Sequence, residues 1–180
     1  MNDCLSPIRF ISLVRGQHDE EIHFYLVGEE HGYLSNFSAY PIFLSGKRWP
    51  TTEHYFQAQK FLDEKLQMQI CHANGPRRAA EMGRDRKYPL RRDWESVKDD
   101  VMREAVRAKF TQHADLRELL LATDDARIVE HTAIDSYWAD GGDGTGKNRL
   151  GLILMEVREE LRQATADTAT STSETRRRSD

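Results

Sequence analysis

The sequence is poor in cysteine. Only Cys4 and Cys71 occur in 180 residues, far apart and outside any CxxC or HxxxH spacing, which argues against a disulfide scaffold and against a structural zinc site. Two free thiols suit a reducing compartment, so a cytoplasmic location is expected. Long hydrophobic runs are missing as well: none approaches the ~20 residues of a membrane span. The N-terminal stretch MNDCLSPIRFISLVRGQHDE has no charged region leading into a long apolar segment and a small-residue cleavage site, so no secretory signal is expected. A large excess of one charge is also absent. The net charge of -4 and pI near 6.0 speak against a general electrostatic grip on nucleic acid. The histidines, His18, His23, His31, His54, His72, His113 and His131, show no ligand spacing. No metal site is expected, and His54 is expected to pack rather than coordinate.

What remains is a charge-rich globular chain, with 38% hydrophobic and 31% charged residues and enough length for one well-formed core. Residues 1–20 read as a loosely ordered leader and 21–162 as the folded domain. From Gln163 onward the Ala/Thr/Ser-rich tail, with Arg176, Arg177 and Arg178 offset by Asp167, Glu174 and Asp180, has nothing to bury and is expected to be disordered. Ile22 to Val27 predicts a buried strand. Ile42–Leu44 and Lys47–Trp49 predict a hairpin around Ser45-Gly46. Thr52, or alternatively Thr51, is the expected N-cap of a helix from Glu53 to about His72. Asn74-Gly75-Pro76 breaks it and opens a short helix through Met82.

Asp93 is expected to cap a helix on which Trp94, Val97, Val101, Ala105 and Ala108 recur at helical spacing. Leu116, Leu119 and Leu120 mark another short helix, Ile128-Val129 a short strand, and Leu150, Ile153, Leu154, Val157 and Leu161 the apolar face of a last helix. The sum is an α+β fold, a mainly helical single domain with a small β-sheet toward its N-terminal half.

Three constellations carry chemistry. In Trp49-Pro50-Thr51-Thr52-Glu53-His54-Tyr55-Phe56-Gln57-Ala58-Gln59-Lys60-Phe61, a helix beginning at Glu53 sets Glu53, Gln57 and Lys60 on one stripe, at i, i+4 and i+7. A carboxylate, an amide and an amine in line suit a small polar substrate. The competing reading is a first-turn glutamate favoured by the helix dipole and a solvated lysine.

The second is Tyr137-Trp138-Ala139-Asp140-Gly141-Gly142-Asp143-Gly144-Thr145-Gly146-Lys147-Asn148, which approaches a P-loop from Gly141 through Gly146 to Lys147. It departs from one where the chemistry is strict, because Asn148 replaces the magnesium-binding hydroxyl and no buried strand precedes it. A glycine-rich turn feeding a helix still offers backbone N–H groups to a phosphate or carboxylate. Trp138 has a face for stacking on a base, and Asp140 has the chemistry of an acid, base or hydroxyl acceptor. The third is the basic stretch from Pro76 to Arg92. Most of it reads as solvated surface, with Met82-Gly83-Arg84 the place for a phosphate-binding arginine.

These motifs, together with Ser35-Asn36-Phe37, Trp94 and Gly146-Lys147-Asn148-Arg149-Leu150-Gly151, resemble the NADAR family and, within it, the bacterial YbiA-like branch. The resemblance runs from about Ile22 to Arg162 in unbroken motif order. It implies an N-glycosidase that hydrolyses early riboflavin-pathway pyrimidine ribosylamine phosphates and releases ribose 5-phosphate, with neither metal nor organic cofactor. Other members of the family remove ADP-ribose from guanine bases, and a non-catalytic nucleotide-binding module is a third reading. By the resemblance, Glu53 is the leading catalytic candidate, joined by Asp140 and Lys60. Trp138, Asn36, Gln57, Arg84 and Asn148 fall around the pocket. Departure of the nitrogen builds positive charge at C1′, which a carboxylate stabilises. Either Glu53 or Asp140 activates water or moves a proton, or Lys60 captures C1′ as a Schiff base.

Overall fold

A computed structural model describes residues 21–177 of the chain, and the side chains of residues 21–167. The expected leader, with Cys4, lies outside the described residues. The chain opens with strand β1 (Glu21–Phe24), followed by a single 3-10 turn at Gly32–Leu34 and the hairpin strands β2 (Ile42–Leu44) and β3 (Lys47–Trp49). Helices α1 (Thr52–Ala58), α2 (Glu64–Cys71), α3 (Pro76–Arg84), α4 (Trp94–Gln112) and α5 (Ala114–Ala122) come next. Strand β4 (Arg127–Glu130) and the long helix α6 (Arg149–Arg177) complete the fold.

The hairpin forms as expected. Ser45 and Gly46, with φ of 53° and 73°, make the tight turn that two short paired strands require. The other pairing was not expected: β1 lies parallel to β4, with Glu21 opposite Arg127 and Phe24 opposite Glu130. The small sheet therefore joins the two halves of the chain. β1 ends at Phe24, and the apolar Tyr25, Leu26 and Val27 that extended the predicted strand are exposed, because β4 is only four residues long and leaves them nothing to pair with.

The helix expected from Glu53 to His72 is two helices. Lys60 N and Phe61 N bond back to Gln57 O and Ala58 O, tightening the last turn of α1, and Lys60 O accepts instead from Arg91 N at 2.9 Å. Asp63 restarts the chain as the N-cap of α2, its carboxylate accepting from Lys65 N and Leu66 N. Thr51, rather than Thr52, caps α1. Asp93 holds the N-cap position of α4 while its carboxylate pairs with Arg91 instead of the helix.

α6 continues through Arg177. The helix already running through Leu161 removes the cost of nucleation, and the alanines beyond it favour propagation. Gln163 to Asp167 are exposed, consistent with a segment that has nothing to bury. The core lies between α4, α6 and the two small sheets, built on Phe24, Trp49, Phe61, Phe110, Ile128, Ile153 and Leu154.

Candidate active site

A cavity of about 270 Å³ opens beside the C-terminal ends of the parallel strands β1 and β4. The position has a physical basis. Parallel strands end in backbone groups no neighbour pairs, and ligands recur there. Six of the eight residues singled out in the sequence line the cavity: Asn36, Glu53, Gln57, Lys60, Arg84 and Trp138.

Helix α1 supplies the centre. Glu53 stands in its first turn, 6% exposed, and one turn later Gln57 Nε2 donates to Glu53 Oε1 at 2.7 Å. Burial raises the Glu53 carboxyl above its ordinary value, against the downward pull of the Gln57 bond and of the Lys60 and Arg84 charges. Lys60, just past the helix, lies over the rings of Phe56 and Trp94 and donates to Gly83 O at 3.4 Å. Burial draws its pKa down to about 8, against the upward pull of Glu53 and with help from Arg84 and Arg86. The free amine is thus more available near neutral pH than that of an exposed lysine. Arg84, at the end of α3, is exposed and stands at the mouth. Trp138 meets Phe56 edge to face, with centroids 5.2 Å apart.

Asn36 sits on a loop fixed to α1 and α4. Its Oδ1 accepts from Thr52 Oγ1, its Nδ2 donates to Met102 Sδ, and its carbonyl accepts from Glu53 N. Beneath this loop, the fully buried Lys109 donates to Tyr33 O, Ser35 O and Ser38 Oγ. His54 packs as expected, bonded to Thr51 and Ala73 O.

Asp140 and Asn148 do not line the cavity. Burial raises the Asp140 carboxyl, but bonds from His131, Gly142 N and Thr132 N outweigh it and hold the group below its ordinary value. It is an anion tied to its own loop. Asn148, at φ 47°, accepts from Glu130 N through Oδ1 and donates to Ile128 O through Nδ2, so its amide extends the edge of β4 like a piece of strand.

The glycine-rich loop is not the anion cradle expected of it. Gly146 N, Lys147 N, Asn148 N, Arg149 N and Leu150 N donate to the carbonyls of Asp140, Ser136, Ala139, Tyr137 and Trp138. Gly141 and Gly142 adopt φ of 76° and 80°, which lets the loop fold onto itself and consume those donors. Its product is the placement of Trp138 and of the Thr132–Asp135 segment at the cavity.

Sequence reasoning missed two further carboxylates at the wall, Glu130 and Asp135. Glu130 ends β4, and burial together with Asp135, Glu53 and Asp140 pushes its pKa up to about 8. The signal was a charged residue terminating the apolar pair Ile128-Val129. Among the described residues, no group of His, Cys, Asp and Glu has the arrangement to hold a metal, and no helix is long and apolar enough to cross a membrane.

A profile of the NADAR domain matches residues 23–162. The chain is 58% identical over 155 residues to the N-glycosidase YbiA of Escherichia coli strain K12, covering 86% of this chain and 97% of that protein. It is 47% identical over 144 residues to an N-glycosidase of Nostoc punctiforme, covering 78% and 92%. The NMR structure of the E. coli protein YbiA superposes with a TM-score of 0.78 at 56% identity, covering 89% of this chain and 96% of that one. By sequence and by fold, the chain belongs to the NADAR family, on its YbiA-like branch.

Proposed function

We propose that the chain is an N-glycosidase that cleaves the bond between an amine nitrogen and C1′ of a phosphorylated ribose, with early riboflavin-pathway pyrimidine ribosylamine phosphates as substrates and ribose 5-phosphate as product. The observation that carries this reading is the collection, in one cavity, of buried carboxyl groups, an amine with a lowered pKa and a peripheral guanidinium. The names of the relatives agree with it. The domain that does the work is residues 21–162, and the free, buried thiol of Cys71 fits a cytoplasmic site of action.

Each group has a task set by its surroundings. Arg84, at the mouth, holds the 5′-phosphate, the part of the substrate that does not react. Trp138 offers a ring to the departing base. Glu53 faces C1′, where positive charge grows as the C–N bond weakens, and a carboxylate inside a desolvated cavity stabilises that charge strongly. A ribosylamine opens to an imine, and the Lys60 amine adds to C1′ and displaces the departing amine, leaving a Lys60–C1′ Schiff base. Water, deprotonated by Glu53, then hydrolyses that imine and regenerates the amine. Every atom comes from substrate, water and these side chains, so the scheme requires no metal and no cofactor. Asp140 and Asn148 act at one remove, by holding the loop and strand that carry Trp138 and the cavity wall.

The cavity volume favours a single phosphoribosyl group over an ADP-ribosylated guanine in nucleic acid, and the acidic net charge points the same way. The test sets freshly prepared pyrimidine ribosylamine phosphates beside ADP-ribosylated guanine, with and without chelator. Chelator-resistant release of ribose 5-phosphate from the first set alone is expected. Turnover of the second set alone would transfer the reading to de-ADP-ribosylation, and binding without turnover to a nucleotide-binding module.

A further inference from the structure

We propose that Glu130 is the general acid of this site, delivering the proton that the departing amine nitrogen takes as its bond to C1′ breaks. The inference rests on the N-glycosidase reading and adds a catalytic residue to it.

The geometry begins with the backbone. Glu130 is the last residue of β4, opposite Phe24 of β1. Its N–H donates to Asn148 Oδ1 at 3.0 Å, and its carbonyl accepts from Asp140 N at 2.9 Å. Main-chain bonds on both sides therefore fix where the side chain leaves the strand, and that side chain lines the cavity. The carboxyl group itself has no hydrogen-bond or ion-pair partner among the described residues. Asp140, by contrast, is bound by His131 and two backbone N–H groups, and Glu53 by Gln57. A partly buried carboxyl with no partner of its own, placed at the wall of a substrate cavity, is available to the substrate.

Its surroundings also select its protonation state. The charges acting on it are all negative: Glu53 from α1, and Asp135 and Asp140 from the loop after β4. The cations of the cavity, Lys60 and Arg84, act instead on Glu53. Desolvation and these carboxylates raise Glu130 to about 8, so it carries its proton at neutral pH. Glu53 is raised by burial as well, but it alone of the two has a hydrogen-bond donor, Gln57, and two cations, Lys60 and Arg84, that favour its charged form.

The step balances. The electron pair of the C–N bond passes to nitrogen, which takes the Glu130 proton and leaves as the neutral amine. Glu130 becomes a carboxylate. The water that hydrolyses the Lys60 imine gives up a proton to Glu53, which passes it on to solvent, and solvent returns one to Glu130. The net reaction is ribosylamine phosphate plus water giving amine plus ribose 5-phosphate.

The test compares wild type with Glu130→Gln on a series of N-phosphoribosyl anilines whose ring substituents make the amine a progressively better leaving group. Glu130→Gln keeps the shape of the protonated acid, and its melting temperature reports folding. The expected loss is about 10²- to 10⁴-fold on the parent aniline and at least about tenfold smaller on the most electron-poor one, because a good leaving group needs no proton. In wild type, kcat/KM passes through a maximum near pH 8, rising as Lys60 loses its proton and falling above it as Glu130 loses its own, and the falling limb is lost in Glu130→Gln. The Lys60 limb, rising with pH, remains. Glu130→Asp, an acid of shorter reach, retains the alkaline limb at reduced rate. An equal loss across the series, or a rate near wild type, overturns the assignment while leaving the N-glycosidase reading intact. No release by wild type from any of these substrates, or from the pyrimidine compounds, overturns both.

Discussion

Gly83 lies so close to the Gln57 amide that a Cβ on it would stand 1.9 Å from Oε1 and 2.8 Å from Cδ. The glycine of Met82-Gly83-Arg84 thus serves two ends. It lets α3 approach α1, and it leaves Gln57 free to hold Glu53.

Gly83→Ala is expected to push Gln57 off Glu53 and lower kcat/KM by about 10- to 100-fold, the value of a hydrogen bond to a charged group. Gln57 Oε1 and Cδ can swing aside, but Gln57 Cβ, at 2.9 Å, moves only with α1, so a lower melting temperature is expected beside the kinetic loss. Steady-state kinetics alongside a melting curve checks this, and unaltered kcat/KM would contradict it.

The sequence made α1 legible because its chemistry and its helical period coincide. Glu53, Gln57 and Lys60 fall on one stripe, and that stripe faces the cavity. The break before α2 was obscured because the apolar spacing runs on through Leu66 and Ile70, past Asp63, the residue that caps α2. Glu130 and Asp135 were obscured for a different reason. What gives them a role is the parallel pairing of β1 with β4, a contact between residues about a hundred positions apart, which no local pattern encodes. Lys109 likewise occupied a position that reads as polar surface, and only the fold reveals the carbonyls that bury it. The glycine loop misled because free N–H groups at a helix start are the default, and here the loop's own carbonyls take them.

Lys109 anchors the loop that carries Asn36. Lys109→Met leaves Tyr33 O, Ser35 O and Ser38 Oγ without the donor that joins them, and is expected to lower unfolding stability by about 1–3 kcal/mol. Urea unfolding measures this, and a midpoint equal to wild type would mean that water replaces the ammonium without cost.

The raised pKa of Glu130 also sets a pH dependence of stability. A carboxyl at 4.5 in the unfolded chain and about 8 in the fold binds more protons folded than unfolded between those values. Its contribution is therefore most favourable below pH 4.5 and is lost as pH rises through 8. Glu130→Gln, neutral in both states, should show a melting temperature that declines less over this window and exceeds wild type at its upper end. Parallel pH profiles of the two proteins would contradict the burial of an acid at this position.

Borohydride reduces a Schiff base to a stable secondary amine. Added during turnover, it should inactivate the enzyme and leave one phosphoribosyl-derived mass on the peptide bearing Lys60, with no such adduct in Lys60→Arg. Turnover without any trapped adduct would replace the covalent step by direct attack of water guided by Glu53.

The central claim is that the cavity around Glu53 breaks an N-glycosidic bond, and its most direct test is ribose 5-phosphate release by wild type and Glu53→Gln from a freshly made pyrimidine ribosylamine phosphate. Wild type should release the sugar phosphate, and Glu53→Gln should be slower by about 10²- to 10⁴-fold at an unchanged melting temperature. Equal rates from the two proteins would place the chemistry elsewhere in the molecule.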